Sequence, residues 1–442
     1  MKFNKNLLWT LAVTVSILVM VIATSLYMGK NKKQNKKHIN STYEVSDDYE
    51  QEGEVTYDEN NNALIDVLIK TSEFTDVYHD RFEAVCNSDM IICYGKKQKL
   101  IKSGKKISIT TSSNYFKKGQ VIICPIDEYG RITLLSVKRQ GESRDYRGVF
   151  KLNSTREGLL VVNELPLEEY LYAVVSSEIP QSFGKEALSA QAVCARTYAY
   201  AHILKSACKK YGADVDDSVS YQVYNNFPET DVSVSAVDKT KGLVMYKSGS
   251  DTLVDAYFYS TSCGMRESKK SLAKENDFRA FLKTKRGCEK DFSLFRWRVE
   301  IGADDLSDIV AGTYPSVGRV LNITVKDRRE DGRVERIEIK GSDGNVTLQD
   351  QYNIRMLFDI TGCELTDNSG NKLNTMKSLP SGYFQIDKVS EGNGDYFVFY
   401  GGGYGHGDGL SQNGAGALAE KGKKYTDILK YYYGNVDIGS TY

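Results

Sequence analysis

Apolar residues recur with helical spacing over residues 166–205. The first half of this stretch has apolar side chains at positions i, i+3, i+4, i+7 and i+8: Leu167, Tyr170, Leu171, Val174 and Val175. This spacing predicts an amphipathic helix. Pro166 suits the first turn of that helix, and Pro180 disfavours helical geometry at the residue before it. The helix is therefore expected to end near Ser177, with Glu178 at its C-terminal edge.

A second helix is predicted from Lys185 onward. One of its stripes consists of small or aliphatic residues: Leu188, Ala192, Ala195, Ala199 and Ile203. A neighbouring stripe consists of Ala187, Gln191, Cys194 and Tyr198. No residue from Ala187 to Ala195 is charged, so we expect this helix to be buried and closely approached by other backbone. Gln191 and Tyr198 share a face, whereas Arg196 points elsewhere.

Upstream of these helices, short β-type runs alternate with turn residues. The runs are ALIDVLIK, AVCNSDMIICY, KKISITT, QVIICPI and RITLLSV. Gly104, Gly119 and Gly130 separate them. The pattern predicts a β-rich unit over residues 63–145 without a catalytic constellation of its own.

The N-terminal 62 residues have a different pattern. Residues 7–28 contain no charged residue, and 22 helical residues at ~1.5 Å each span a bilayer core of ~30 Å. We predict a cytoplasmic tail over residues 1–6, an uncleaved transmembrane anchor over 7–28 and a disordered linker over 29–62. Five lysines follow the anchor between positions 30 and 37. The positive-inside rule alone would therefore place the remaining chain in the cytoplasm.

Downstream, strands and glycines dominate the pattern. VLNITV and RVERIEIKG alternate strongly, and Asp331-Gly332 between them predicts a β-hairpin turn. Residues 271–318 are charged and less patterned, which indicates a variable insert. Between Gly401 and Gly416 the stretch GGGYGHGDGLSQNGAG contains eight glycines. It has no Gly-Lys-Ser/Thr, which argues against a nucleotide site. These glycines are expected to let backbone approach a ligand or another loop closely.

Composition changes this picture only slightly. The charges balance, with 58 basic and 58 acidic residues, so nothing suggests a nucleic-acid partner. The thirty tyrosines suit a β-rich protein, and most are expected to be structural. Eight cysteines are too few for a disulfide scaffold in 442 residues. Cys263 with Cys288, or Cys86 with Cys93, would pair outside the cytoplasm, and free buried thiols are an equal alternative.

Several of these stretches resemble, in order along the chain, the stage II sporulation protein D / LytB family. The matching stretches include VNELPLEEYLYAVVSSEIP, ALSAQAVCARTYAY, TLVDAYFYSTSCGMRES and GGGYGHGDGLSQNGAGA. The resemblance covers roughly Ile65 to Tyr433. Sporulation members of the family are lytic transglycosylases that cleave peptidoglycan glycan strands. It therefore implies a catalytic region outside the membrane, which overrides the orientation suggested by the lysines. The implied fold is α+β, with a β-rich N-terminal unit and a mixed α/β catalytic core over residues 146–440.

The resemblance also implies which residues act. Glu178 matches the glutamate of the family's SE(M/I)P element, which is the general acid. The predicted substrate-binding residues lie on the second helix, in a serine-rich loop and in the glycine-rich stretch: Gln191, Arg196, Tyr198, Tyr259, Ser260, Ser262, Tyr404, His406 and Gln412. Tryptophan is common in the family where Tyr404 stands, and tyrosine where Asn413 stands. These two differences concern sugar affinity and not the fold.

Zinc is the one cofactor that the resemblance suggests. Some clostridial members carry a His/Cys set suited to zinc after the second helix. A closed zinc site needs four ligands, and this chain supplies His202 and Cys208, with Asp214, Asp216 and Asp217 as weak substitutes. We therefore predict no metal and no cofactor.

The position of Glu178 suits acid catalysis. A helix C-terminus carries partial negative charge, which penalises an ionised carboxylate and favours a carboxyl that keeps its proton. A single plausible acid favours a lytic transglycosylase, because glycoside hydrolases usually need two carboxylates. The expected partners are peptide-denuded glycan strands, an amidase or endopeptidase of the engulfment machinery, and the membrane. The alternatives are a non-catalytic amidase activator, in which Glu178 forms a structural salt bridge, and an envelope scaffold without glycan contact.

Overall fold

The computed structural model describes residues 55–205, 208–373, 376–392 and 394–441. These residues form two units, each described here by itself. Unit 1 takes the chain up to Ala256 and from Asn435 onward, and unit 2 is Tyr257–Gly434. Both contain helices and strands, so the predicted α+β class is confirmed. The division at Ala256 falls inside the region 146–440 that was predicted as one catalytic core.

The predicted tail and anchor, and the linker as far as residue 54, lie outside the described residues. None of the helices within the described ranges has the length and apolar character needed to cross a bilayer. The last linker residues, 55–62, have local structure: Tyr57 forms a bridge with Ala63. The side chain of Asp58 accepts hydrogen bonds from the backbone of Asn60 and Asn62.

The strands are numbered in chain order. They are β1 (Leu64–Leu68), β2 (Arg81–Cys86), β3 (Met90–Tyr94), β4 (Lys97–Ile101), β5 (Ile107–Thr110), β6 (Val121–Pro125), β7 (Ile132–Arg139), β8 (Glu142–Tyr146), β9 (Val149–Ser154), β10 (Leu159–Pro166), β11 (Val215–Asp216), β12 (Leu243–Lys247), β13 (Phe258–Tyr259), β14 (Trp297–Gly302), β15 (Val320–Arg328), β16 (Val334–Gly341), β17 (Asn345–Gln349), β18 (Glu364–Thr366), β19 (Lys372–Leu373), β20 (Phe384–Glu391), β21 (Gly394–Gly401), β22 (Leu410–Ser411) and β23 (Val436–Ser440).

The α-helices are numbered in the same way. They are α1 (Leu167–Glu178), α2 (Lys185–Lys205), α3 (Asp231–Lys239), α4 (Glu275–Leu282), α5 (Ala303–Thr313), α6 (Gln351–Leu357), α7 (Gln412–Glu420) and α8 (Tyr425–Tyr433). The first three belong to unit 1 and the others to unit 2.

Unit 1 contains two larger sheets and one strand pair. The orders are β11-β1-β10-β9-β6-β3-β4 and β5-β2-β7-β8. The pair is β12 with β23, whose antiparallel register joins Leu243 to Ser440. The predicted β-rich stretch 63–145 does form strands, but its larger sheet also contains β9, β10 and β11. Sheet membership depends on distant partners, which local alternation does not reveal.

Helices α1 and α2 form as the periodicity predicts. Helix α1 buries its apolar stripe and ends at Glu178, because Ile179 before Pro180 takes an extended backbone with φ −132° and ψ 133°. Helix α2 begins at Lys185, and every residue from Ala187 to Thr197 is buried. Its small side chains allow α1 and α3 to pack against it.

Unit 2 is built on two sheets, β19-β18-β14-β21-β20 and β15-β16-β17. The predicted hairpin turn at Asp331-Gly332 is confirmed between β15 and β16. Residues 271–318, which were predicted to be a variable insert, contain β14, the middle strand of the five-stranded sheet. Val299 and Ile301 on β14 are at most 1% exposed. Charged residues alternate with these apolar ones, which is a strand pattern that the overall charge of the segment obscures.

Candidate active site

Glu178 is the half-buried last residue of α1. Its Oε1 accepts a hydrogen bond of 2.8 Å from the backbone N–H of Val223. That donor lies in the segment after β11. A backbone N–H favours an ionised carboxylate, opposite to the effect of the helix C-terminus. The carboxyl group is therefore oriented by a fixed donor and is still partly open to its surroundings.

The segment that carries Val223 is anchored on both of its sides. Gln222 is fully buried, accepts a hydrogen bond from the hydroxyl of Tyr170 on α1 at 3.2 Å and donates to the carbonyl of Ala195 on α2 at 3.2 Å. Tyr224 is also fully buried and donates from its hydroxyl to Asn163 at 2.9 Å. Two buried side chains thus fix the N–H between them. The sequence alone did not reveal these positioning roles. The only local sign of them is the triplet Gln222-Val223-Tyr224.

Tyr170 contributes through its protonation state. Burial raises the pKa of Tyr170 well above its usual range, and nearby Tyr198, Tyr224 and Glu178 add to that shift. Tyr170 therefore keeps its proton at physiological pH and serves as the donor to Gln222. The packing of α1 thereby supports the segment that orients Glu178.

Arg196 is not a substrate-binding residue in this structure. It is fully buried and forms two hydrogen bonds with Glu168 of α1, at 2.8 and 2.6 Å. Its remaining donors reach the carbonyl oxygens of Val237 and Leu243, at 3.3 and 3.1 Å. The predicted substrate role is corrected, because this guanidinium ties α2 to α1, to α3 and to β12. Buried arginines are usually paired in this way.

Gln191 and Tyr198 have different environments on α2. Gln191 is fully buried, and neither of its amide atoms has a hydrogen-bond partner within the described part of the chain. Tyr198 is half-buried, and its ring lies 4.2 Å from that of His202. A buried amide without partners is costly. The amide of Gln191 therefore has hydrogen-bonding capacity that a ligand could use. In this structure, however, it is enclosed and solvent does not reach it.

In unit 2 the serine-rich loop and the glycine-rich stretch lie side by side. Strand β13 pairs in parallel with β22, and Thr261 and Tyr404 exchange backbone hydrogen bonds of 3.0 and 2.8 Å. The backbone of Gly403 has φ +83°, and a Cβ there would lie 2.8 Å from the carbonyl oxygen of Thr261. At Gly409 a Cβ would lie 1.8 Å from the carbonyl oxygen of Tyr257. The predicted close approach of this backbone to another loop is confirmed at both positions.

His406 uses both of its ring nitrogens within the protein. Nδ1 accepts a hydrogen bond from the backbone N–H of Asp408 at 3.0 Å, so Nε2 carries the proton and donates to the carbonyl of Phe258 at 2.9 Å. Burial lowers the pKa of His406, against the opposing effect of Asp408. The imidazole is therefore neutral and connects the glycine-rich stretch to β13. Its ring also lies 5.5 Å from that of Tyr259.

Comparison with known proteins gives consistent results. The sequence model of a family described as "Stage II sporulation protein" (SpoIID) matches residues 155–246, and a domain of unknown function (DUF8618) matches residues 251–409. An uncharacterized protein of Brachyspira hyodysenteriae is 31% identical over 298 residues, which are 66% of this chain and 72% of that protein. Stage II sporulation protein D of Bacillus subtilis is 26% identical over 301 residues, 63% of this chain and 75% of that protein.

A further relative is the amidase enhancer of Bacillus subtilis, 26% identical over 293 residues, which are 60% of this chain and 39% of that protein. The chain belongs to the SpoIID/LytB family. This family is involved in sporulation and the cell wall. The SpoIID match contains Glu178 and the predicted positions of α2, and the second match extends from the serine-rich loop to His406. Gln412 lies beyond both matches.

His202 and Cys208 are the two residues of this chain that were considered as zinc ligands. Nδ1 of His202 lies 2.8 Å from the carbonyl oxygen of Tyr198. The thiol of Cys208 donates to the hydroxyl of Tyr221 at 3.1 Å. Within the described ranges, no three His, Cys, Asp or Glu side chains are grouped to hold a metal ion. Asp217, a suggested substitute, forms a buried ion pair with Arg139.

All eight cysteines are free thiols in the structure. The pairs Cys263 with Cys288 and Cys86 with Cys93 are therefore not disulfides here. Burial raises the pKa of both Cys263 and Cys288 to about 12, so these two thiols are protonated and unreactive.

Glu289 is a residue that sequence reasoning missed. Its Oε2 accepts hydrogen bonds from the backbone N–H of Ser262 at 2.6 Å and from the hydroxyl of Ser411 at 2.7 Å. The hydroxyl of Tyr432 lies 3.5 Å from Oε1. Glu289 thus joins the serine-rich loop to the end of the glycine-rich stretch. It stands in the charged segment taken for an insert, and no periodicity there indicates a buried acid.

The carboxyl of Glu289 is neutral at physiological pH. Burial raises the pKa of Glu289 to about 8, against the hydrogen bonds from Ser411 and Ser262, which lower it. Gly414 permits this packing, because a Cβ there would lie 2.4 Å from Oε1 of Glu289. Glu289 is a positioning residue for the two loops.

The remaining predicted residues of unit 2 surround these connections. Tyr259 is buried, and the hydroxyl of Ser260 lies 3.2 Å from that of Thr261. Tyr404 is half-buried against the core, and Gln412 is the buried first residue of α7. Unit 2 therefore brings six predicted residues into one region: Tyr259, Ser260, Ser262, Tyr404, His406 and Gln412. Glu178, Gln191 and Tyr198 belong to unit 1.

Proposed function

We propose that this SpoIID/LytB protein is a peptidoglycan lytic transglycosylase that leaves 1,6-anhydro-MurNAc ends, with a role in sporulation engulfment. The observation that carries the proposal is the half-buried Glu178 carboxyl at the end of α1, oriented by the N–H of Val223. A half-buried carboxyl whose orientation is fixed is suited to exchange a proton with a bound sugar. The match of its surrounding residues to the family's SE(M/I)P element supports the assignment.

The reaction needs one carboxyl group and no cofactor. Glu178 gives its proton to the glycosidic oxygen between MurNAc and GlcNAc, and the bond from C1 to that oxygen breaks. The 6-hydroxyl of the same MurNAc then bonds to C1 and gives its proton to the Glu178 carboxylate. The acid is regenerated and no water is consumed. The proposed substrate is glycan from which a partner amidase or endopeptidase has removed the stem peptides.

Four of the other predicted positions are proposed glycan contacts. Tyr198 in unit 1 and Ser260, Tyr404 and Gln412 in unit 2 carry the polar groups and aromatic rings that hold sugars. His406, by contrast, acts through the shape of its loop, because both ring nitrogens already have protein partners.

We also propose that the protein is anchored in the cell membrane by residues 7–28, with its catalytic region outside. The uncharged 22-residue stretch supports the anchor, and the cell-wall association of the family supports the orientation. Protease treatment of intact cells tests this. Digestion of both units is expected, and their protection would contradict the orientation.

A second candidate function is stimulation of an amidase without cleavage of glycan. The relative named amidase enhancer favours it. In that case Glu178 serves to shape a surface that binds glycan or the amidase. No nucleic-acid partner is proposed under either function.

Product analysis distinguishes the two functions. Denuded glycan strands are incubated with the wild-type protein, with Glu178→Gln and with Glu157→Gln, an exposed acid in a turn that serves as matched control. Mass spectrometry then measures anhydro-MurNAc ends. We expect them with the wild type and the control, and at least ~100-fold fewer with Glu178→Gln, because general acid catalysis contributes about that much. Full cleavage by Glu178→Gln would contradict the proposal. Amidase stimulation without anhydro products would support the second function.

A further inference from the structure

Unit 1 contains a stretch of strongly one-sided charge. Between Met90 and Ile126 there are no acidic residues and eight lysines, although the whole chain is balanced at 58 basic and 58 acidic residues. These are Lys96, Lys97, Lys99, Lys102, Lys105, Lys106, Lys117 and Lys118. Lys102 pairs with Asp89, and Lys106 pairs with Glu83. Acids outside the stretch therefore neutralise only part of it.

Five of the remaining lysines gather at one end of the β3–β4 hairpin. Lys96 lies in the hairpin turn, and Lys97 and Lys99 lie on β4. The short 3₁₀ helix Asn114–Lys118 brings two more lysines beside them. A Cβ on Gly95, in the turn, would lie 2.8 Å from Cβ of Lys118, so this helix packs directly on the hairpin. We call this set the lysine cluster: Lys96, Lys97, Lys99, Lys117 and Lys118.

Two tyrosines connect the 3₁₀ helix to the hairpin beside the lysine cluster. Nζ of Lys99 donates to the hydroxyl of Tyr115 at 3.0 Å. The rings of Tyr94 and Tyr115 are 4.9 Å apart in an edge-to-face arrangement, and both side chains are partly buried. The backbone positions of the five lysines are thereby fixed by strand pairing and ring packing.

The cluster has no internal neutralisation. All five lysines are exposed, and within the described part of the chain none of them forms an ion pair, in contrast to Lys102 and Lys106. Five like charges so close together repel one another. Lysines on an edge strand often protect a sheet from pairing with other chains, and β4 is an edge strand. That role accounts for the two lysines on β4, and not for the three outside it.

We propose that the lysine cluster binds a linear polymer that carries repeated phosphate groups and no nucleobases. Lysine ammonium groups bind phosphate as point charges, and a chain of phosphates can meet several of them at once. The cluster offers no apolar side chain for insertion into a membrane, because the two tyrosines are packed against each other and the exposed Leu100 lies on the opposite face of β4 from Lys97 and Lys99. An anionic lipid surface can also be bound through charge alone, and the vesicle probe described below tests that outcome. The proposal does not depend on the chemistry assigned to Glu178.

The test uses the full-length protein in nanodiscs of uncharged lipid and two immobilised probes: long-chain inorganic polyphosphate and phosphatidylglycerol vesicles. The cluster variant carries Lys→Gln at its five positions. A matched variant carries the same change at five exposed lysines of unit 2: Lys269, Lys270, Lys274, Lys283 and Lys285. Both variants lose the same net charge, and neither change removes a buried side chain.

We expect the cluster variant to bind polyphosphate at least about tenfold more weakly than the wild type and the matched variant less than about twofold. Wild-type binding should weaken steeply as salt rises, and the cluster variant should show a shallower salt dependence. Thermal unfolding and cleavage of denuded glycan should be the same for both variants. This separates the inference from the proposed transglycosylase activity.

Three results would overturn the proposal. They are absence of wild-type binding to polyphosphate, equal losses in the two variants, and a cluster-dependent binding of phosphatidylglycerol vesicles without polyphosphate binding. If the five-fold variant does not fold, Lys→Gln at Lys96, Lys117 and Lys118 alone serves instead, since these three lie outside the strands. It should still lose at least about threefold in polyphosphate affinity.

Discussion

The two units each hold one notable carboxyl group, in contrasting environments. Glu178 in unit 1 is half-buried at a helix end and accepts a backbone hydrogen bond from Val223. Glu289 in unit 2 is only 3% exposed and receives hydrogen bonds from Ser262 and Ser411. One acid is oriented and accessible, and the other is enclosed by the loops that it joins.

The contrast shows that burial alone does not identify a catalytic acid. Enclosure keeps Glu289 protonated, with a pKa raised to about 8, but it also removes the carboxyl from any substrate. A general acid must reach the proton acceptor of its substrate. Partial access together with a fixed orientation is therefore the better criterion, and it favours Glu178.

The largest expected effect comes from the same Glu→Gln change at both positions. Glutamine at position 178 can still accept the hydrogen bond from Val223 and cannot donate a proton to a leaving group, so cleavage should fall by ~10²–10⁴-fold. Glutamine at position 289 resembles the neutral carboxyl already present there, so cleavage should change by less than about threefold. Release of anhydro-MurNAc ends measures both variants. Equal losses at the two positions would remove the distinction between them.

The next largest effect concerns the rigidity of the helices that carry Glu178. Glu168→Gln leaves the buried Arg196 without its charged partner and should lower the free energy of unfolding by about 3–5 kcal/mol. The neighbouring Glu169→Gln is the matched control, because Glu169 is 32% exposed and lies 3.7 Å from Arg147. Its effect should stay below about 1 kcal/mol. Urea unfolding compares the two variants, and a loss below about 1 kcal/mol for Glu168→Gln would contradict the stabilising role of the Glu168–Arg196 pair.

The next expected effect is a pH dependence of the free energy of unfolding that arises from Glu289. The pKa of Glu289 is raised from 4.5 to about 8 in the folded protein, so between these values the folded state binds more protons than the unfolded state. Stability should therefore fall as pH rises through this window, by up to about 1.4 kcal/mol per pH unit. Glu289→Gln should remove that part of the slope. Unfolding measured from about pH 5 to 8 tests this, and parallel curves for the two proteins would contradict the enclosed, neutral acid.

The smallest effect is expected at Gln191. Its amide is fully buried without a hydrogen-bond partner in the described ranges. Gln191→Met has a similar shape and removes the desolvated amide, so the free energy of unfolding should rise by about 1 kcal/mol. A fall in glycan cleavage in the same variant would support a ligand contact. Unchanged or lower stability would mean that the amide finds a partner, such as a buried water.

The sequence predicts the local features of this molecule well. Periodicity and Pro180 place both ends of α1 within about a residue, and Asp331-Gly332 marks a real hairpin turn. Residues whose roles depend on distant partners were missed. The residues around Arg196 do not indicate that it pairs with Glu168. Those around Glu289 do not indicate its hydrogen bond with Ser411. β14 is a different case, because its period-2 alternation is itself a strand pattern that the high charge of the surrounding segment obscured.

The pairing of β12 with β23 has a consequence for the order of assembly. The partner of Leu243 is Ser440, nearly two hundred residues later, after the whole of unit 2 has been synthesised. On the ribosome, one edge of β12 can pair at once with the segment around Leu253. The edge that pairs with β23 stays open until translation is nearly complete. Premature termination just after Gly434 would produce a polypeptide with every catalytic candidate present and an open sheet edge, a form prone to self-association and to proteolytic clearance.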